Sequence, residues 1–119
     1  SCNKGNKFTC GFNGRSGNGT IGEYSCNNAN GISACASNGA GSGVDAEGNG
    51  VISNGSCNNA NGDSVCAYNG YGNTTTGFGL IGNFSCNQGS KFTCIYNGFD
   101  GNGIIGDESC NIQNTTLES

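Results

Sequence analysis

The chain contains no His, Trp, Met or Pro, and each absence narrows what it can do. Without His, no Ser-His or Cys-His nucleophile pair can form. Zinc sites favour CxxC pairs and often use His, and the sequence offers neither. Cations are nearly missing too: Lys4, Lys7, Arg15 and Lys91 stand against eight acids, for a net charge of −4. Phosphate recognition needs a basic footprint, so nucleic acid is not expected as a partner, nor is a basic membrane-binding face. Long apolar runs are also absent. No segment spans a bilayer, and nothing reads as a signal peptide. The opening Ser1-Cys2, already inside a repeat, reads as a mature or trimmed form.

What remains is unusual in the opposite direction. Only 33% of the chain is hydrophobic, and that share includes nine Cys, while 24 Gly and 21 Asn dominate the rest. A layered core of Leu, Ile, Val and Phe is not available. Bulk composition alone points toward low complexity. Cysteine at this density points instead to a disulfide scaffold in which cross-links replace the missing core. The expected setting is an oxidising one, with the protein secreted, extracellular or on a cell surface.

Self-similarity organises the chain. Ser-Cys-Asn triplets recur at Cys2, Cys26, Cys57, Cys86 and Cys110, followed by Asn3, Asn27, Asn58, Asn87 and Asn111. An Ile stands five residues before each of the last four, at Ile21, Ile52, Ile81 and Ile105. The residues before those Ile are Thr20, Val51, Leu80 and Ile104. A second Cys follows eight or nine residues on, at Cys10, Cys35, Cys66 and Cys94. An Asn-Gly pair then comes at a fixed offset: Asn13-Gly14, Asn38-Gly39, Asn69-Gly70 and Asn97-Gly98. The copies run 1–25, 26–56, 57–85 and 86–109, with a half copy at 110–119, in a single domain. Most of their length variation falls in the connector after Asn-Gly, where a solenoid places its insertions.

Gly and Asn are poor helix-interior residues, and no 3.6-residue apolar period survives. Short pieces such as Lys7-Phe8-Thr9-Cys10, Lys91-Phe92-Thr93-Cys94-Ile95-Tyr96 and Thr20-Ile21 carry β-formers between Asn-Gly and Gly-Asn-Gly turns. The fold expected is all-β: a disulfide-stapled β-solenoid, parallel β-helix-like, of about 4.5 coils, with two or three short strands per coil. Its coils stack at about 4.8 Å. Ile21, Ile52, Ile81 and Ile105 then form an internal ladder, and the Asn after each Cys a side-chain amide ladder. Independent hairpins are the rival, but fixed columns serve no purpose unless they stack.

Three disulfide patterns are open. Short loops can close as Cys2–Cys10, Cys26–Cys35, Cys57–Cys66 and Cys86–Cys94, leaving Cys110 unpaired or intermolecular. The connectors can close instead as Cys10–Cys26, Cys35–Cys57, Cys66–Cys86 and Cys94–Cys110. Equivalent Cys on adjacent coils can also join, since stacking brings them close enough. The near-constant loop length favours the first, each loop contributing roughly 2–3 kcal/mol. An odd Cys points to pairing between chains or to truncation. The chain stops at Glu118-Ser119, where the next Cys is due.

Candidate sites are few. Polysaccharide-cleaving parallel β-helices use clustered acids with basic groups, and no acids recur at matching columns here, so no enzyme is expected. Asp100, Asn102 and Asp107 space their oxygens as a calcium loop does. The equivalent slots do not repeat them, Asp45 and Glu47 being the only parallel, so a turn is preferred to a Ca2+ site. N-glycosylation acceptors occur at Asn18, Asn54, Asn73, Asn83 and Asn114, all outside the Cys-to-Cys loops. A chain this rich in Asn, Ser and Thr makes nearly that many by chance. Tyr68, Tyr71, Tyr96 and Phe99 near the Asn-Gly turns are placed either to stack on sugars, as in an adhesin, or to pack between coils. Ice-binding solenoids present flat Thr ranks, whereas Thr20 stands alone in its column and Thr74-Thr75-Thr76 is one run.

The pattern clearest in Ile21-Gly22-Glu23-Tyr24-Ser25-Cys26-Asn27 and Ile81-Gly82-Asn83-Phe84-Ser85-Cys86-Asn87 resembles tandem Gly/Asn/Cys repeats of large secreted proteins in algae and oomycetes. The resemblance covers nearly the whole chain. It implies an extracellular surface or fibre role and carries over no catalytic residue. Neither end carries a polar cap, and open ends template stacking. The expectation is therefore a non-enzymatic subunit whose partners are copies of itself, joined head to tail.

Overall fold

In the computed structural model, residues 2, 9–28, 31–42, 46–59 and 63–111 are described. Lys4, Lys7, Phe8, Asp45 and Asn114 lie outside them. The regular elements are four strands: β1 (Gly17–Ile21), β2 (Gly48–Ile52), β3 (Gly77–Ile81) and β4 (Asn102–Ile105). They form one parallel sheet in chain order, β1-β2-β3-β4. Each connection leaves the top of one strand and returns to the start of the next, so successive repeats lie one above another. This is an all-β parallel stack, as in a small β-solenoid.

The register follows the repeat. Gly19, Gly50, Gly79 and Gly103 pair in one column, and Ile21, Ile52, Ile81 and Ile105 in another. Ile52 and Ile81 are wholly buried, with Ile21 and Ile105 packed against them at the two ends. Burial of each central Ile contributes about 1.5–3 kcal/mol. The other buried members are small: Ala34, Val65 and Cys26, Cys35, Cys57, Cys66 and Cys86.

Among the described residues there is one strand per repeat, not two or three. Phe92, Cys94 and Tyr96, expected in an extended piece, have φ of 66°, 55° and 58°. Thr9-Cys10 likewise lies in a turn, and only Thr20-Ile21 is extended. Around each second Cys, every other residue is left-handed: Ser33, Cys35, Ser37 and Gly39 form one such series. Each non-glycine member costs on the order of 1–2 kcal/mol. Hydrogen bonds to both neighbouring repeats offset it. The Cys35 and Gly39 amides donate to Val65 and Asn69 above, and the Ser37 amide to Gly11 below, all at 2.8 Å. Interlayer pairing thus overrides the β-propensity of Phe, Tyr and Thr.

Glycine alternates through the strands because the Asn-Gly turn of each repeat packs directly on them. A Cβ at Gly50 would stand 2.4 Å from both Asn38 Oδ1 and the Asn69 carbonyl. No side chain fits between strand and turn.

Candidate functional site

That close approach creates the most ordered polar feature of the molecule. The Asn of each Asn-Gly pair points inward. Asn38 Nδ2 donates to Asn13 Oδ1, Asn69 Nδ2 to Asn38 Oδ1, and Asn97 Nδ2 to Asn69 Oδ1, each at 2.8 Å. The same Nδ2 groups bond strand carbonyls: Asn69 reaches Val51 O at 3.1 Å and Gly79 O at 3.2 Å. Asn38 and Asn69 are fully buried. The amide ladder therefore stands on the Asn-Gly column, not on the Asn after each Cys. There the bonding differs: the backbone amides of Asn27, Asn58 and Asn87 donate to Oδ1 of Asn58, Asn87 and Asn111, each at 2.8 Å. Those side chains terminate backbone groups that left-handed residues leave outside any sheet. The hint lay in the sequence, since Asp or Gly serves a turn as well as Asn yet never replaces it here.

A serine column runs beside it. Ser25, Ser56 and Ser85 are fully buried. Ser56 Oγ donates to Gly82 O at 2.6 Å and accepts from the Ser85 amide at 3.1 Å. Both ladders have a direction, so each end of the stack is the complement of the other. β1 and β4 are the edge strands.

The structure joins Cys2–Cys10, Cys26–Cys35, Cys57–Cys66 and Cys86–Cys94, with Cα separations of 6.4–6.5 Å. Each disulfide lies within 4.8 Å, sulfur to sulfur, of the first Cys of the next repeat. This sulfur stack ends at Cys110, which is exposed and free. Sulfurs bound in disulfides offer no thiolate to a metal. Four disulfides fit an oxidising compartment. No helix among the described residues is long and apolar enough to cross a membrane.

Asp100 is occupied by the repeat below it. Its carboxylate accepts the backbone amides of Asn73, Thr74 and Thr75 and the Thr74 hydroxyl. Desolvation, the largest single influence, acts to raise its pKa, but the four donors together outweigh it and hold the group below the usual carboxylate range. Asp107 Oδ1 accepts the Asn83 amide at 2.7 Å, and Asn102 sits exposed on β4. Asp100 and Asp107 thus accept from two different segments of the third repeat, 73–75 and Asn83. Thr74 and Thr75 belong to a loop that Asp100 ties down.

Of the sequons, Asn18 is exposed on β1 and donates to Asn49 Oδ1 at 3.0 Å. Asn54 and Asn73 are exposed, and Asn83 is half-buried. The Ser56 and Ser85 that complete two sequons are members of the internal serine column, which supplies a structural reason for both. Asn114 lies outside the described residues.

The aromatic residues pack on one another across repeats. Tyr68 stacks on Tyr96 with centroids 5.2 Å apart, and Tyr71 on Phe99 at 5.3 Å. Tyr68, Tyr71 and Phe99 are half-buried and Tyr96 is exposed. Beside this cluster opens a cleft of about 390 Å³, between Phe12 and Arg15 on one side and Tyr68 and Tyr71 on the other. Sequence reasoning found the tyrosines but missed Phe12, Arg15 and Ser37, because no motif marks a gap in a column. No protein-family model, curated protein or solved structure matches this chain.

Proposed function

We propose that the chain is a non-enzymatic, secreted structural protein of about four and a half coils that assembles head to tail into an extracellular fibril or surface appendage. The observation that carries this is the directional, self-complementary ladder set. At the upper edge Asn97 presents Oδ1, the atom that accepts the next amide in every lower repeat. At the lower edge Asn13 presents the matching Nδ2, bonded to Gly19 O at 3.0 Å. Continuing the register sets β1 of an incoming copy on β4, with Asn18 beside Asn102, Thr20 beside Ile104 and Ile21 beside Ile105. That pairing satisfies the unpaired strand edge and covers Ile105.

The same register puts the incoming Cys2 in the column position that Cys110 already holds, so docking has to displace Cys2, and thiol–disulfide exchange that hands Cys10 from Cys2 to Cys110 relieves the overlap. Glycans at the exposed Asn54 and Asn73 would decorate the flanks of such an assembly, whereas Asn18 lies on the docking strand itself and has to stay unmodified for end-to-end pairing. Concentration-dependent light scattering of the oxidised protein, with electron microscopy of the same sample, tests the proposal. Growth into filaments of constant width is expected. A monodisperse monomer at high concentration overturns it.

A further inference from the structure

The cleft beside the aromatic cluster is a missing rung. Phe12, Ser37, Tyr68 and Tyr96 occupy one column, joined by amide donation from Ser37 to Gly11, Tyr68 to Ala36 and Tyr96 to Ala67. Their φ values are 58°, 56°, 57° and 58°, so the backbone is the same at all four. Three carry rings and the second repeat carries Ser37. The neighbouring column reads Arg15, Ala40, Tyr71 and Phe99, again with a small residue in the second repeat. Phe12 and Tyr68 are two layers apart, about 9.6 Å at the parallel-strand spacing. Directly stacked rings prefer centroids about 4.5–7 Å apart. The gap is too wide for Phe12 and Tyr68 to stack on each other and holds one more ring between them.

Phe12, Tyr68 and Tyr71 line the cleft with rings, and the small Ser37 and Ala40 line it in the layer between. An object with apolar faces and a polar edge fits this arrangement, and a pyranose ring has that form. Arg15 supplies a charge preference. It is the only Arg of the chain, its guanidinium lies 5.3 Å from the Phe12 ring centroid, and it makes no ion pair among the described residues. A guanidinium is permanently charged and matches a carboxylate in a forked pair.

We propose that this cleft binds one pyranose ring of an acidic saccharide, sandwiched between Phe12 and Tyr68 with its carboxylate on Arg15. The cleft is formed within a single chain, between the first and third repeats, so the inference does not require end-to-end assembly, although Phe12 and Arg15 belong to the same terminal repeat as β1.

Calorimetric titration of the full oxidised chain with a galacturonate trisaccharide, and with the neutral galactose trisaccharide, tests it. The uronate is expected to bind at least about tenfold more tightly. Arg15→Gln should remove that preference, bringing the uronate to the affinity of the neutral sugar. Ser37→Tyr places a ring in the empty rung on a backbone that already accepts one. It should abolish binding of both sugars with no loss of thermal stability, whereas Ser37→Ala, which keeps the rung open and removes only the hydroxyl, should still bind both, weakened by no more than about tenfold. Undiminished binding by Ser37→Tyr, or no binding of either sugar by the parent, overturns the proposal. So does an Arg15→Gln variant that keeps its uronate preference. A Ser37→Tyr variant that loses self-association while the parent binds no sugar assigns the cleft to a second copy instead, and likewise overturns it.

Discussion

The side-chain amide of Asn69 donates to Asn38 Oδ1 at 2.8 Å, with both residues wholly buried, and this pair is the centre of a ladder through all four repeats. In a chain so poor in large apolar residues, the polar column occupies space that a hydrocarbon core fills elsewhere. A buried polar network holds a fold together only if every member is satisfied. No buried side-chain nitrogen or oxygen among the described residues lacks a partner.

Replacing Asn69 by Ala removes the donor to Asn38 and the acceptor for Asn97 together. At about 1–3 kcal/mol for each of the two groups left unpaired, the expected loss is about 2–6 kcal/mol. Chemical denaturation of the oxidised variant measures it. Asn97→Ala, at the half-buried end of the ladder, should cost less.

The glycines of the strands are expected to be equally intolerant. Gly50→Ala drives a Cβ into the Asn38 side chain and the Asn69 carbonyl, and should cost about 2 kcal/mol or more. Gly101→Ala is the control: its Cβ would meet nothing nearer than Phe99 O at 4.0 Å, and the effect should stay within about 0.5 kcal/mol. Melting temperatures of the two variants decide the matter.

Much of this was legible in the sequence. The Ile and Ser-Cys-Asn columns are visible as a repeat, and stacking them places Ile52 under Ile81 without further information. The conformation of the connections was not legible. Phe92, Tyr96 and Tyr68 have strong β-propensity, yet interlayer amide bonds and the neighbouring disulfides hold them left-handed. Local preference is a weak guide where each residue is tied to the repeats above and below. The cleft was hidden for a different reason. It is defined by what Ser37 lacks relative to Phe12, Tyr68 and Tyr96, and only the register makes that comparison meaningful.

The loop held by Asp100 should respond to acid. Its carboxyl has a lower pKa folded than unfolded, so its stabilising effect is full above the ordinary range near about 3.9. That effect is lost as pH falls through the lower folded value. The amide proton shifts of Asn73, Thr74 and Thr75 should move together over that window. In Asp100→Asn they should not titrate.

The disulfides should differ in accessibility. Cys26, Cys35, Cys57 and Cys66 are wholly buried, whereas Cys2 is exposed and Cys10 half-buried. Under limiting reductant, alkylation mapped by mass spectrometry should find Cys2 and Cys10 labelled before the four central residues. Removing the Cys57–Cys66 pair by double Ala substitution should cost about 2–5 kcal/mol.

Continuation of the ladders from one copy to the next is tested most directly by diffraction from oriented filaments of the oxidised protein. Head-to-tail stacking sets every strand across the fibre axis and predicts a reflection near 4.8 Å on the meridian. It also predicts loss of filaments in Asn13→Asp, which keeps the acceptor for Asn38 but sets a carboxylate against Asn97 Oδ1 of the next copy, in a variant whose four disulfides still form. Filaments without that meridional spacing, or filaments that persist in Asn13→Asp, would contradict it.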